Sequence, residues 1–434
     1  MRTYKSTLLI LAICGIVFLI SGCGASPTAN LGTSVIVPNT GSISGHVFSL
    51  NTTNQTFSGL SGYVVTVSTE AMTAEASFLT GSDGAYQLDR LPSGAVTITV
   101  TYESGGLFRS LSYTADSNSF DFVVDYSSDP GPSTVIGTIE GWSYDPLNDS
   151  FDVSCVAGSG RDYDSTLVRF DDANNTFEVA GAPSEGTTYV VADWWDDSFP
   201  PFGLDVYAYN KINTLGGSVH DCEITFEFSA TIEGNVVNMP TGYTFTNAIA
   251  SISNDHKNIV DAMGSISFPT VSSFRLSELI PAKSGDSYQV QILADTPDLD
   301  YYQKFFYNRS SVTGQTFNVN LPSLPTPIIK YINNGDFITG TPTVEWNSVP
   351  GASYYMIQIH DSDNGSDWVC YTNETRATLP SCVKDRFISG DDFYILLIAY
   401  KAINMNAPPY KPREAGFDMY PDFMAACYRS LTLN

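Results

Sequence analysis

Basic side chains are scarce in this 434-residue chain: Lys and Arg together number 20, against 46 Asp and Glu. The net charge of −26 repels nucleic-acid phosphates and anionic lipid headgroups, which removes both from the expected partners. It suits basic proteins or divalent cations, and it equally suits a surface that only has to stay soluble. Helical periodicity is missing too. No window much longer than a single turn sustains apolar residues at i, i+3, i+4 and i+7, which excludes helical bundles and α/β units. The chain has no G-x-S-x-G elbow, H-E-x-x-H helix or P-loop. No catalytic residue and no cofactor is assigned, and a non-enzymatic role is expected.

What is present in quantity is turn formers and alternating β-branched residues. The stretch Thr80 to Tyr102 sets the pattern. A Gly-Ser-Asp-Gly turn opens a short strand with Tyr86 and Leu88 on one face and Gln87 and Asp89 on the other. Leu91-Pro92-Ser93-Gly94 then turns the chain, as in a hairpin, into a strand where Val96, Ile98, Val100 and Tyr102 alternate with Thr97, Thr99 and Thr101. A period of two between Pro/Gly turns marks strands with one face in a core.

Two further copies follow. Asn174–Val179 precedes Pro183, Gly186 and the run Thr187–Val191; Ser273–Leu276 precedes Pro281, Gly285 and Tyr288–Ile292. Opening strands carry a matching signature at Ile43-Ser44-Gly45, Ile139-Glu140-Gly141 and Ile232-Glu233-Gly234. The three prolines lie 91 and 98 residues apart and these three glycines 96 and 93 apart. Two markers with nearly one period predict three domains of similar fold: 41–126, 134–229 and 230–321. Ser127–Pro132 reads as a linker after the first. No break separates the second and third, which are expected to pack tightly. Pro322–Pro327 is expected to be a stiff extended linker, and the whole a string of four sandwiches.

The first copy resembles the carboxypeptidase regulatory-like family through Gly45, Val47, Gly62, Val65, Thr80, Gly81, Asp83, Gly84, Tyr86, Leu88, Leu91, Pro92 and Gly94. The resemblance implies a small transthyretin-like β-sandwich without catalytic residues of its own. Beyond residue 326 the pattern changes. Trp346, Val349-Pro350-Gly351, the alternating run Tyr354–His360, Leu379 and Phe393–Ala399 resemble a fibronectin type III domain over 326–434. That implies Trp346 in strand B, Tyr355 in C, Leu379 closing E and Tyr394 opening F. The fold class is thus all-β: three transthyretin-like or Ig-like sandwiches plus one fibronectin type III-like sandwich.

Residues 1–22 carry Arg2 and Lys5, an apolar run from Leu8 to Ile20, and then small residues, the make-up of a secretory signal. Leu19-Ile20-Ser21-Gly22-Cys23 resembles a bacterial lipobox. The resemblance implies cleavage before Cys23 and its acylation, and hence a membrane partner. Several chains at about 0.8 kcal/mol per buried CH₂ hold durably where one does not. A soluble secreted protein is the open alternative. Gly24 rather than Asp favours the outer membrane under the enteric sorting rule. Residues 23–40 are Ser/Thr/Pro/Asn/Gly-rich and read as a flexible tether. Ser430–Asn434 has no sortase signal, so lipid is the expected anchor.

Seven cysteines include Cys14 and Cys23 of the leader region. Export permits disulfides. Cys155 and Cys222 are alone in the second domain and are expected to bridge; Cys370 with Cys382 is favoured over pairings with Cys427 by proximity in sequence. His220-x-x-Glu223 with His360 imitates a zinc-peptidase ligand set, but its members fall in a β-repeat and a distant strand, so no metal site is assigned. Asp361, Asp363 and Asp367 alternate as calcium ligands do, although Asn364-Gly365 reads better as a hairpin turn. In Asp193-Trp194-Trp195-Asp196 the two indoles must point to opposite faces of a strand. One can be core; the other meets solvent, a neighbouring segment such as Phe199–Phe202, or a ligand. The functional expectation is a lipid-anchored envelope protein acting as spacer, adhesion or assembly module toward a protein or glycan partner. A glycan-binding lipoprotein using Trp194 or Trp195, and a calcium-stabilised adhesin, are its rivals.

Overall fold

The computed structural model describes residues 41–433 apart from 70–75, 92–95, 105–106, 116–119, 142–148, 160, 197–203, 217, 240–241, 255–257, 262–264, 271, 296–300, 311–315, 321–326, 333–335, 339–342, 353, 362–365, 381–382, 384–391 and 402–422. The leader, Cys23, the tether, Phe199–Phe202, most of the second linker, Asp363 and Cys382 therefore lie outside the described residues. Among the described residues no helix is long and apolar enough to cross a membrane.

Strands occur where the period of two predicts them. The first sandwich holds β1 (Gly41–Asn51), β2 (Thr56–Gly59), β3 (Val64–Thr69), β4 (Ala76–Leu79), β5 (Ala85–Leu91), β6 (Val96–Ser104), β7 (Leu107–Ala115) and β8 (Phe122–Ser127). The second holds β9 (Ser133–Glu140), β10 (Asp149–Ala157), β11 (Thr166–Asp171), β12 (Thr176–Ala182), β13 (Thr187–Asp196), β14 (Leu204–Asn213) and β15 (Val219–Thr225). The third holds β16 (Ala230–Val237), β17 (Thr244–Ser253), β18 (Asn258–Asp261), β19 (Ser265–Thr270), β20 (Ser273–Leu279), β21 (Ser287–Asp295), β22 (Tyr301–Ser310) and β23 (Thr316–Asn320). The fourth holds β24 (Ile329–Lys330), β25 (Asp336–Ile338), β26 (Thr343–Trp346), β27 (Tyr354–Asp361), β28 (Asp367–Thr372), β29 (Arg376–Thr378), β30 (Asp392–Lys401) and β31 (Phe423–Leu433).

The first three share one wiring. The opening strand pairs antiparallel with a cassette strand, as β1–β5, β9–β12 and β16–β20. It pairs parallel with the closing strand, as β1–β8, β9–β15 and β16–β23. The facing sheets are β3-β6-β7, β10-β13-β14 and β17-β21-β22. The Thr80–Tyr102 cassette is accordingly not a hairpin. Between Leu91 and Val96 the chain leaves one sheet and enters the other, so Tyr86, Leu88, Val96, Ile98 and Val100 meet across one core. Its local turn chemistry is that of a hairpin, but each of its two apolar faces is buried only when the strands lie in opposite layers.

The repeat also corrects the glycine alignment. Gly45 lies opposite Tyr86, Gly137 opposite Phe177 and Gly234 opposite Phe274. The second member is Gly137, not Gly141, and the spacings become 92 and 97 residues. Glycine is required by close approach. A Cβ on Gly234 would run into the Phe274 ring, and one on Gly45 would run into the Phe120 carbonyl oxygen. That carbonyl accepts the Tyr86 hydroxyl at 2.6 Å.

The fourth sandwich follows the fibronectin type III expectation. Trp346 on β26 is fully buried, and its ring meets Tyr355 of β27 edge-on at 5.3 Å. Tyr355 accepts the Val349 amide at 2.8 Å, Leu379 follows β29, and Tyr394 lies near the start of β30.

The four sandwiches do not form a string. One 13-stranded sheet runs β18-β17-β21-β22-β31-β30-β27-β28-β7-β6-β3-β4, with β25 on β31. It joins the third sandwich to the fourth through β22–β31 and the fourth to the first through β28–β7. Facing sheets leave edge strands with unpaired amides and carbonyls, and these edges satisfy one another. With the second and third packed together, the chain closes into a ring.

Candidate functional site

The side chains with the most chemistry sit at the joints between sandwiches. β13 is flanked by β10 and β14, and its alternation puts Val190 and Ala192 in the core of the second sandwich. Tyr189 and Val191 then face outward, where the third sandwich covers them. There Asp286, only 6% exposed, gathers three partners. Its Oδ1 accepts the Tyr189 hydroxyl at 2.7 Å and Lys211 Nζ at 2.9 Å; its Oδ2 accepts the Tyr209 hydroxyl at 2.9 Å. Tyr209 in turn accepts the Lys283 amide at 2.7 Å, and burial raises its pKa. The close packing expected of the second and third sandwiches is thus observed. No local signal marks Asp286, because its three partners lie 75 to 97 residues away.

The second joint couples the ends of the ring. β7 and β28 pair in parallel from Arg109↔Asp367 to Tyr113↔Tyr371. The Arg109 guanidinium forms an ion pair with Asp367, which also accepts from His360 Nδ1 at 2.6 Å and Gln358 Nε2 at 3.1 Å. Trp368 Nε1 donates to Ser112 Oγ at 2.8 Å in a fully buried contact. On the other face Met356, Tyr371, Leu396 and Ile398 of the fourth sandwich join the apolar cluster of the first. Full burial of such side chains contributes about 1.5–3 kcal/mol each.

Other sequence candidates resolve against this frame. Trp194 faces the core of the second sandwich, its ring edge-on to Phe226 at 6.4 Å, and so is not a ligand platform. Position 195 falls on the opposite face, in register with Ser150 and Asp205. Asp367 is occupied by Arg109 and His360, Asp361 is fully buried, and the Asp361 amide donates to the Ser366 carbonyl at 2.9 Å as the hairpin closes. Both carboxylates thus belong to the β27–β28 pair, and Asp363 lies outside the described residues. His220 and Glu223 lie three apart on β15 and point to opposite faces, and His360 sits at the β7–β28 joint, so the zinc set is not assembled.

Cys155 on β10 and Cys222 on β15 come from opposite sheets into one buried cluster. Both are thiols in this structure, as is buried Cys370, so neither the expected Cys155–Cys222 bridge nor the one expected from Cys370 to Cys382 is formed. Burial pushes each thiol of the pair up to about 12, with Cys222 adding to the rise at Cys155.

No family model and no curated protein matches this chain. Among solved structures it is similar to a Ca²⁺-stabilised adhesin that helps an Antarctic bacterium bind ice, at 9% identity over 92% of this chain and all of that one, with a TM-score of 0.17. Invasin, a bacterial integrin-binding protein, matches at 10% identity over 92% of this chain and 80% of that one, with a TM-score of 0.12. The Bacillus anthracis TIE protein matches at 13% identity over 65% of this chain, with a TM-score of 0.17; the chain spans half of its length. TM-scores this low are no superposition of whole chains, so the functional reading rests on the joints themselves.

Proposed function

We propose that the chain is a non-enzymatic adhesion or assembly protein of the bacterial cell envelope, exported and held to the membrane by lipid on Cys23, with Gly24 favouring the outer membrane. One observation carries the reading: two carboxylates with three side-chain partners each, Asp286 and Asp367, hold sandwich to sandwich. Side chains of the kind that elsewhere do chemistry here set the relative positions of four β-modules, as a presenting scaffold requires. The partner is a protein or glycan of the envelope.

The anchor is tested by metabolic palmitate labelling and membrane fractionation. Wild-type protein takes up label and stays with the membrane, while Cys23→Ser takes up none and becomes soluble. A Cys23→Ser protein that remains firmly bound overturns the anchor. The adhesive role is tested by in-cell cross-linking with identification of the partner, and intact cells that yield no cross-linked partner would sink it. A glycan partner is the second reading, favoured by position 195, which shares a face with Asp152, Asp193 and Tyr207. It requires glycan-array binding that disappears in Trp195→Ala and survives in Trp194→Phe.

A further inference from the structure

The first sandwich is bound more firmly to the fourth than to its neighbour in sequence. Its apolar cluster continues into Met356, Tyr371, Leu396 and Ile398 of the fourth. Toward the second sandwich the contacts are polar. Thr53 Oγ1 donates to the Asp162 carbonyl at 2.6 Å and accepts the Asp129 amide at 2.8 Å, and Gly131 donates to the Gly181 carbonyl at 2.8 Å. The apolar cluster of the second sandwich is a separate one, drawn entirely from its own strands and their flanks. The connection from Ser127 to Ser133 is short and mostly exposed.

We propose that the β7–β28 joint is also an interface between copies of this chain, in which β7 of one copy pairs with β28 of another and each first sandwich docks on its partner's fourth. The occupant follows from the joint. Opening it bares two edges that already match in register, in the Arg109–Asp367 pair and in the Trp368–Ser112 bond. A second copy offers the same complements, so the exchanged form needs no new contact. It differs from the closed form only in chain entropy and effective concentration. The polar seam at residues 127–133 is where the first sandwich swings. This interface is independent of the anchor and of any glycan, so its failure leaves the proposed function standing.

Charge exchange tests it on the full-length chain. Arg109→Glu sets a carboxylate against Asp367 within its own chain, and Asp367→Arg sets a guanidinium against Arg109. Each variant alone should run as a monomer in size exclusion with light scattering. Mixed in equal amounts they satisfy both joints at once. In one joint the two substituted positions face each other with opposite charges, and in the other the native Arg109 and Asp367 meet. The mass should then double to a one-to-one heterodimer. The double variant R109E/D367R restores the pair within one chain and should remain monomeric. A mixture that keeps the monomer mass overturns the proposal, and so does a double variant that fails to restore the closed monomer. If a single variant does not fold, wild-type chain concentrated to the millimolar range and then diluted serves instead. Dimers that revert over hours support the exchange; monomers throughout overturn it.

Discussion

Replacing Gly234 with Ala sets a methyl carbon against the Phe274 ring, whereas the same change at Gly45 drives it into the Phe120 carbonyl. Overpacking of this kind costs about 1–3 kcal/mol, and the two sites differ in what can yield. A ring can be shortened and a backbone carbonyl cannot. Urea melts should show Gly234→Ala partly rescued by Phe274→Leu, and Gly45→Ala not rescued by Tyr86→Leu. Cys155 and Cys222 make a second residue-scale case. Both are buried thiols in one core, and burial pushes each up to about 12. The thiolate is the reactive form, so both should resist iodoacetamide at about pH 8 in the folded chain and react in urea. Rapid labelling of the native protein at either position would refute their burial.

Individual strands are readable from the period of two, and so are the tryptophan–tyrosine pair of the fourth sandwich and the existence of three repeats. Pairing between layers is not. Gly141 matches Gly45 in sequence because both follow Ile-x, but the property shared by Gly45, Gly137 and Gly234 is an aromatic residue opposite, and that becomes visible only once β1, β9 and β16 have partners. Edge strands such as β7 and β28 carry no mark of where their outer side will go, since main-chain groups are the same in every sequence.

At the scale of elements, the β7–β28 joint should respond to pH. Burial lowers the pKa of His360, the Arg109 guanidinium lowers it further, and Asp361 opposes. Asp367 of β28 bonds its ring, and Tyr394 of β30 lies opposite in register. When the joint opens, the imidazole regains its ordinary value of 6.5. The closed form therefore prefers the neutral ring, so the joint is strongest above that value and weakens as pH falls below it toward the lowered value. Hydrogen-exchange protection of β7 and β28 amides should fall between about pH 7.5 and 5, a window that brackets the ordinary histidine value, and His360→Gln should flatten the profile. Protection independent of pH would show that His360 does not report on the joint. The Asp286 joint is tested by truncation instead. Asp286→Ala should cost about 3 kcal/mol, at the low end for a buried pair because Lys211 keeps some solvent access. Calorimetry should show the second and third sandwiches melting separately in that variant and together in the wild type.

At the scale of the molecule, the closed ring sets its size in solution. Four sandwiches end to end would give a radius of gyration above about 40 Å, against about 22 Å for a single globule of this length. Small-angle scattering of the monomer should fall below about 30 Å, between those two limits, and R109E should move toward the larger value. Nothing in the linkers announces this. Ser127–Pro132 and Pro322–Pro327 have the composition of spacers, yet edge pairing brings together strands more than 250 residues apart.

The parallel β7–β28 pair also determines how the molecule carries load. Force applied between the first and fourth sandwiches crosses that one seam directly and bypasses the second and third, which hang slack as a closed loop. The seam is then the first thing to yield. When it parts, the two slack sandwiches come into series and the molecule lengthens by their full span without any of them unfolding. The seam would thus act as a sacrificial bond with hidden length, letting the chain absorb a tug and close again afterwards.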